Sequence, residues 1–260
     1  MNPVEFFDGV ASPYDCQRAF YRALASALAD ELPPGFRPSR ILEVGSGTGH
    51  STSVLAERFP GAALTALEPA PTMAALGRKN VPTAEWHPSE LGSYLAKDSS
   101  LGGFDLVFSS AAAHWLDDQE WQRLLEESRE SVLALALPVS DLQSGLPLPA
   151  GNELVLRLLR HMRPRPGWRA AARRRARTRN LAASPGCLRT AMWRNVETWQ
   201  NGRDLAETLH CRGALLALFG EDSARVFEEL SSQTQVFEFA WSFLLMVRTP
   251  ALPLHQSSES

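Results

Sequence analysis

Glu43, Gly45, Gly47 and Gly49 stand at alternate positions, and Glu68 lies about 25 residues beyond Glu43. Glycines at such spacing let backbone approach a ligand closely, and the free amides that open the next helix receive negative or polar groups. Glu68 closes the apolar segment that follows. At the carboxyl edge of a doubly wound sheet both strand ends face one crevice, so Glu68 is set to accept hydrogen bonds from ribose hydroxyls. Glu43 then sits near a cationic amino group. The pattern E-x-G-x-G-x-G differs from the nicotinamide fingerprint, because His50 stands where a further glycine belongs.

The elements that position these residues follow from periodicity. Phe20, Leu24 and Leu28 predict a helix over Tyr14 to Leu32, stopped by Pro33-Pro34-Gly35. Strands are predicted at Arg40 to Val44, Ala63 to Leu67, Ala84 to His87, Phe104 to Ser109 and Val132 to Leu137. Helices fall between them at His50 to Phe59, at Pro71 to Gly77, and around Trp121, Leu124 and Leu125 after an Asp117 or Asp118 cap. Strands alternating with helices indicate βαβ units and a parallel sheet. From Ser140 to Asn195 the alternation breaks, with five prolines interleaved with a helical stretch near Asn152 to His161; this reads as an insertion. A strand at Asn195 to Trp199, a helix at Arg203 to Arg212 and a long strand at Gln235 to Val247 follow, and Gln256 to Ser260 reads as a tail.

A chain of 260 residues with 44% apolar side chains has ample material for a large core. A net charge of -3 exerts no whole-protein pull on nucleic acid or anionic membrane. Three widely spaced cysteines, Cys16, Cys187 and Cys211, suit neither a disulfide framework nor a zinc site, so no metal is expected. No apolar run approaches the roughly 20 residues that span a bilayer. The expectation is a cytoplasmic, monomeric protein off the membrane.

ILEVGSGTG, Ile41 to Gly49, followed by Leu67-Glu68-Pro69, resembles the first two motifs of class I S-adenosylmethionine-dependent methyltransferases, and the resemblance covers about Arg40 to Leu137. Ser109 to Asp117 (SSAAAHWLD) resembles the segment after the fourth strand in the malonyl-acyl-carrier-protein O-methyltransferases of biotin synthesis and in the trans-aconitate methyltransferases. Glu197 to Ala214 is similar to a late strand-helix-glycine pattern of the former group. The resemblance implies an α/β, Rossmann-like, doubly wound seven-stranded sheet with an antiparallel terminal strand and a helical lid after the fifth strand. On that basis residues 1–139 hold the N-terminal helix and cofactor-binding core, 140–194 an arginine-rich lid, and 195–255 the elements completing the same domain.

The implied cofactor is S-adenosyl-L-methionine, with contacts at Glu43, Gly45, Ser46, Gly47, Thr48, Gly49, Glu68, Pro69, Met73, Ser109 and Ser110. Two departures stand out. The family's glycine-aspartate pair after the third strand is replaced by His87-Pro88-Ser89-Glu90, where Ser89 or Glu90 takes the place of the adenine-binding acid. The Pro-Gly-Gly turn before the fifth strand is absent, and Glu126 to Val132 (EESRESV) runs straight in.

Methyl transfer is an in-line displacement, so alignment and exclusion of water dominate. A carboxylate acceptor is already ionised at neutral pH and needs no general base. A hydroxyl or amine acceptor does, and His114 is the best-placed candidate, with a structural role beside Trp115 as the alternative. Tyr14, with Phe6 and Phe7, closes over the methyl group if the N-terminal helix crosses the site as the resemblance implies; helix packing is the other reading. Trp115 is either pocket wall or core.

Between Glu153 and Glu197 there is no acidic residue, while twelve arginines occur, Arg157, Arg160 and Arg163 among them. One or two, with Arg160 and Arg163 the candidates, clamp an acceptor carboxylate, and the rest steer an acidic partner such as acyl carrier protein. A solvated face is the plainer alternative. Nucleic acid is less favoured, since only Trp168 and Trp193 interleave the basic stretch. Three functions stay open: O-methylation of a carboxylate on a small molecule or a malonyl-like acyl-carrier-protein thioester; methylation of RNA or another small molecule; and a catalytically silent binding protein.

Overall fold

The computed structural model describes residues 2–96, 101–139, 148–161 and 180–250. Five short strands, Arg40–Val44 (β1), Ala63–Leu67 (β2), Glu85–His87 (β3), Leu106–Ser110 (β4) and Val132–Pro138 (β5), pair in parallel in the order β3-β2-β1-β4-β5. Two long strands, Cys187–Trp199 (β6) and Phe237–Thr249 (β7), complete a seven-stranded sheet, with β7 antiparallel to both β5 and β6. Central strands such as β4 are buried on both faces, as parallel strands covered by helices are.

The helices are Pro3–Gly9 (α1), Ala11–Asp15 (α2), Arg18–Asp30 (α3), His50–Arg58 (α4), Pro71–Asn80 (α5), Leu91–Leu95 (α6), Asp118–Glu127 (α7), Ala150–His161 (α8), Gly202–Cys211 (α9), Ala214–Phe219 (α10) and Ser223–Ser231 (α11). Strand alternation sorts the core into two layers. Ile41, Ala66, Phe108 and Ala134 face Leu24 and Leu28 of α3 and Leu55 of α4. Leu42, Leu67, Val107 and Leu133 face Leu91 of α6 and Trp121 and Leu124 of α7. Asp117 closes a capping box with Glu120 at the start of α7.

Two sequence expectations change in detail. The helix predicted over Tyr14 to Leu32 is two helices, α2 and α3, broken at Cys16 and Gln17, and α1 precedes them. Asn2 caps α1 by accepting from the Val4 amide, and Pro3 takes its first turn. The strand predicted at Asn195 begins at Cys187, inside the segment assigned to the lid. β6 is the edge of the sheet, and its polar residues on both faces leave no apolar run to read. The predicted tail, Gln256 to Ser260, lies outside the described residues.

The missing Pro-Gly-Gly turn is replaced by a buried cation. Arg248 of β7, with no exposed surface, donates to the carbonyls of Leu125 and Ser128 and, at 2.9 Å, to the Ser128 hydroxyl. Its guanidinium thus satisfies carbonyls that the end of α7 leaves open. Ser131 completes the join by donating to Phe104 and Leu101 carbonyls at 2.7 and 3.2 Å.

A second side chain substitutes for backbone where β5 stops pairing. The Asn152 amide of α8 donates to the Ala240 carbonyl at 3.0 Å and accepts from the Ala240 amide at 2.7 Å, extending the ladder along β7. Asn152→Ala removes both bonds and leaves two backbone groups of β7 unpaired. We expect a loss of about 1–2 kcal/mol, read as a lower urea midpoint at unchanged slope.

Candidate ligand crevice at the carboxyl ends of β1, β2 and β4

The turn between β1 and α4 is built on three left-handed residues: Gly45, Gly47 and Gly49 have φ of 74, 56 and 89°. Side chains are strained in that region, which is why alternate glycines are needed. The amides of Gly45 and Ser46 both donate to the Leu67 carbonyl at 2.9 Å, seating the turn on the end of β2. Gly49 donates back to Ser46 at 3.0 Å.

Glu68 then bridges the turn to α5. Its carboxylate accepts from the Gly47 amide at 2.8 Å and from the Ala70 amide at 2.9 Å. The side chain is only 7% exposed, and burial pushes its carboxyl from the ordinary 4.5 up to about 7, against the pull of those two amides. A carboxylate has about four acceptor positions, so two are left for a ligand's donors.

Glu43 is placed differently. It has no exposed surface, and its two oxygens accept from the hydroxyls of Ser51 and, at 2.6 Å, Thr52 in the first turn of α4. Burial raises its carboxyl's pKa, and these hydroxyls oppose the rise. It therefore shapes the turn from beneath. Ser46 adds a bond from its hydroxyl to the Glu43 carbonyl at 3.3 Å. Thr48 lies 3.1 Å from the His50 ring nitrogen, and its carbonyl accepts from Asn80 at 2.9 Å. His50 also sits 3.5 Å from Asp15 of α2; burial lowers its pKa, with Asp15 opposing.

The N-terminal helices cross this turn. A Cβ on Gly47 would lie 3.4 Å from the Tyr14 ring. Tyr14 stacks on Tyr21 with ring centres 4.6 Å apart, and Phe7 makes edge contacts with Tyr14 at 6.0 Å and Trp115 at 5.5 Å. Burial, then the neighbouring Tyr21, raises the Tyr14 phenol well above its usual pKa, so it is neutral and keeps its proton. Asp8 pins α1 to α5 by accepting from the Thr72 amide at 2.6 Å.

The end of β4 forms the third wall. Ser109 is fully buried and donates to the Val44 carbonyl at 2.8 Å, locking β4 to β1. The Ser110 hydroxyl is buried with no hydrogen-bond partner among the described residues. Ala111 has a φ of 59°, the one left-handed residue besides glycine among those described. That strain turns Ala112 against Gly45, whose missing Cβ would approach the Ala112 methyl to 2.2 Å. The following short helical turn, Ala113–Trp115, carries His114 and Trp115 with rings 4.8 Å apart.

Other candidates sit at the periphery or elsewhere. Pro69 is partly buried, and Met73 is buried with Ala11 and Ala70 under α2. The Ser89 hydroxyl bonds to the Glu90 carbonyl at 3.1 Å, and Glu90 is exposed ahead of α6. Arg160 is exposed on α8, which packs through Val155 and Leu158 into a separate cluster with Leu205, Leu209 and Phe239. Arg163 lies outside the described residues, as does the arginine stretch from 162 to 179. Asp8, Asp15 and Asn80 carry no motif, and Ala111 lies within the SSAAAHWLD segment without being singled out there. Only α1 had a signal, in the Asn2-Pro3 start.

Fold and site together define a class: an open α/β sheet with a glycine-turn crevice and an acid at the end of the second strand. Residues 41–133 match the family model described as a methyltransferase domain. The chain is 32% identical over 82 residues to a trans-aconitate 2-methyltransferase of Variovorax paradoxus, covering 32% of this chain and 30% of that protein. It is also 32% identical over 113 residues to a malonyl-acyl-carrier-protein O-methyltransferase of Halorhodospira halophila, covering 43% and 38%. The matches thus span less than two fifths of either relative. A solved plantazolicin methyltransferase has the same fold, with a TM-score of 0.50 at 14% identity over 93% of this chain and 90% of that one.

Among the described residues, no helix is long and apolar enough to cross a membrane, and no cluster of three or more metal-binding side chains occurs.

Proposed function

We propose that the protein is an S-adenosylmethionine-dependent methyltransferase acting on a carboxylate, either of a small acid or of a malonyl-like thioester on acyl carrier protein. The observation that carries the cofactor assignment is Glu68, a buried acid at the end of β2 tied to the Gly47 amide, with acceptor positions left for vicinal hydroxyls. The cradle fits in two further respects. A side chain at Gly47 would fill the space under Tyr14, and the buried Ser110 hydroxyl awaits a partner. Glu68 would hold the ribose, and Ser110 a polar group between β1 and β4.

When bound, the cofactor supplies a sulfonium methyl group for in-line transfer. Tyr14, Phe7 and Trp115 form an aromatic cover that excludes water from the turn. An ionised carboxylate acceptor asks no proton transfer of the chain, and His114 is then a wall residue beside Trp115. The names of the two relatives support this acceptor class.

Calorimetry with S-adenosylmethionine tests the cofactor. Binding in the micromolar range is the expected result, and no heat at millimolar ligand removes the assignment. Labelled methyl transfer, compared across malonyl-acyl-carrier protein, trans-aconitate and total RNA, tests the acceptor. Base-labile product on one of the acids is expected; label retained on RNA overturns the carboxylate proposal.

A further inference from the structure

Arg212 follows α9 and joins Gln17, ahead of α3, to Glu197 of β6. Its side chain is 3% exposed, and all three guanidinium nitrogens are engaged. Two bind the Glu197 carboxylate of β6, one of them at 3.1 Å. Two reach the Gln17 side-chain oxygen, at 3.2 and 2.8 Å, across 195 residues of sequence. The guanidinium also lies over the rings of Phe20, at 3.8 Å, and Trp241, at 4.6 Å.

Gln17 occupies the break between α2 and α3, three residues after Tyr14. A five-residue helix has no stability of its own, so α2 takes its place only from tertiary contacts. The next residue along from Arg212 belongs to the same junction: Gly213, with φ of 72°, leaves room for Phe7 and Trp115, which its Cβ would approach to 2.7 and 3.2 Å. Arg212 is buried and its partner Glu197 is partly exposed, so the pair contributes little net stability, and its geometry is what bears on the arrangement of α2.

We propose that Arg212 is a positioning residue: braced by Glu197, it clamps Gln17 at the α2–α3 break and so holds Tyr14 over Gly47. This rests on the reading of the turn as a cofactor site. Lysine is a poor replacement, because a single ammonium nitrogen cannot reproduce the planar fork whose three nitrogens span the Glu197 carboxylate and the Gln17 oxygen.

Two measurements test it on the whole chain. Hydrogen exchange without ligand reads the clamp alone: Gln17→Ala and Arg212→Lys are expected to speed exchange in residues 3–17 about tenfold. Asn152→Ala, which destabilises the fold elsewhere, leaves that segment unchanged. Unaltered exchange in both clamp variants overturns the proposal, and Gln17→Ala decides if Arg212→Lys does not fold. Calorimetry with S-adenosylmethionine reads the consequence. Gln17→Ala and Tyr14→Ala each weaken binding about tenfold, and the double variant is no weaker than either single one within twofold. Losses that multiply show that Gln17 acts apart from Tyr14 and overturn the proposal. If the unaltered protein binds no S-adenosylmethionine, the cofactor reading falls, and exchange still decides whether the clamp exists.

Discussion

Gly45→Ala is expected to lose roughly 2–5 kcal/mol of stability and with it the seat of the turn. Two separate penalties add. A φ of 74° costs any L-residue with a Cβ about 1–2 kcal/mol. The new methyl would also lie 2.2 Å from the Ala112 Cβ, and relieving that overlap costs about 1–3 kcal/mol more. Ala112 cannot move freely, because Ala111 before it is held in a left-handed conformation by its bond to the Ala136 carbonyl at 3.1 Å. The double substitution Gly45→Ala, Ala112→Gly separates the two effects: it recovers the steric part and retains the backbone strain. Urea unfolding of the three proteins measures both. A Gly45→Ala protein as stable as the parent would show that β1 and β4 do not close on each other as described.

The second large effect is at Glu68, where stability and ligand binding should respond to pH in opposite directions. Folding lifts this carboxyl from 4.5 to about 7, chiefly through burial. Between those values the folded chain holds a proton that the unfolded chain has released. Stability from this group is therefore full below pH 4.5 and declines as pH rises to 7, by roughly 3 kcal/mol at most. Glu68→Gln removes the decline while keeping an acceptor for one of the two amides. A ligand whose hydroxyls donate to Glu68 prefers the charged carboxylate. Affinity for S-adenosylmethionine should then rise with pH through about 7, with a proton released on binding. Glu68→Gln should weaken binding about 10–100-fold, the worth of a charge-assisted hydrogen bond, and flatten the profile. Calorimetry in buffers of different ionisation enthalpy counts the proton. Proton uptake, or a pH-independent affinity in the unaltered protein, would remove Glu68 from the ligand's contacts.

The residues that were legible are those whose roles are local. Alternate glycines between an apolar strand and a helix require a left-handed turn wherever they occur, and short apolar runs at regular spacing require a buried parallel sheet. Both were read correctly, to within a residue or two at the strand ends. The break between α2 and α3 was not legible, because Phe20, Leu24 and Leu28 continue the same helical period toward Tyr14. Nor was most of β6, an edge strand whose alternation is blurred by arginines on both faces.

The sequence by itself determined the parallel core, the turn from Glu43 to Gly49 and the acid that closes β2, because each depends on contacts within one βαβ unit. Tertiary structure alone decided what each acid does. Glu43, expected at the ligand's amino group, accepts from the Ser51 and Thr52 hydroxyls, and Glu68 accepts from the Gly47 and Ala70 amides. It also decided what replaces the missing turn before β5, namely Arg248 from the far end of the chain. Arg212 binds Gln17 in the same long-range way. Such partners are chosen by where the folded backbone brings two side chains out of water, and no spacing along the chain records that.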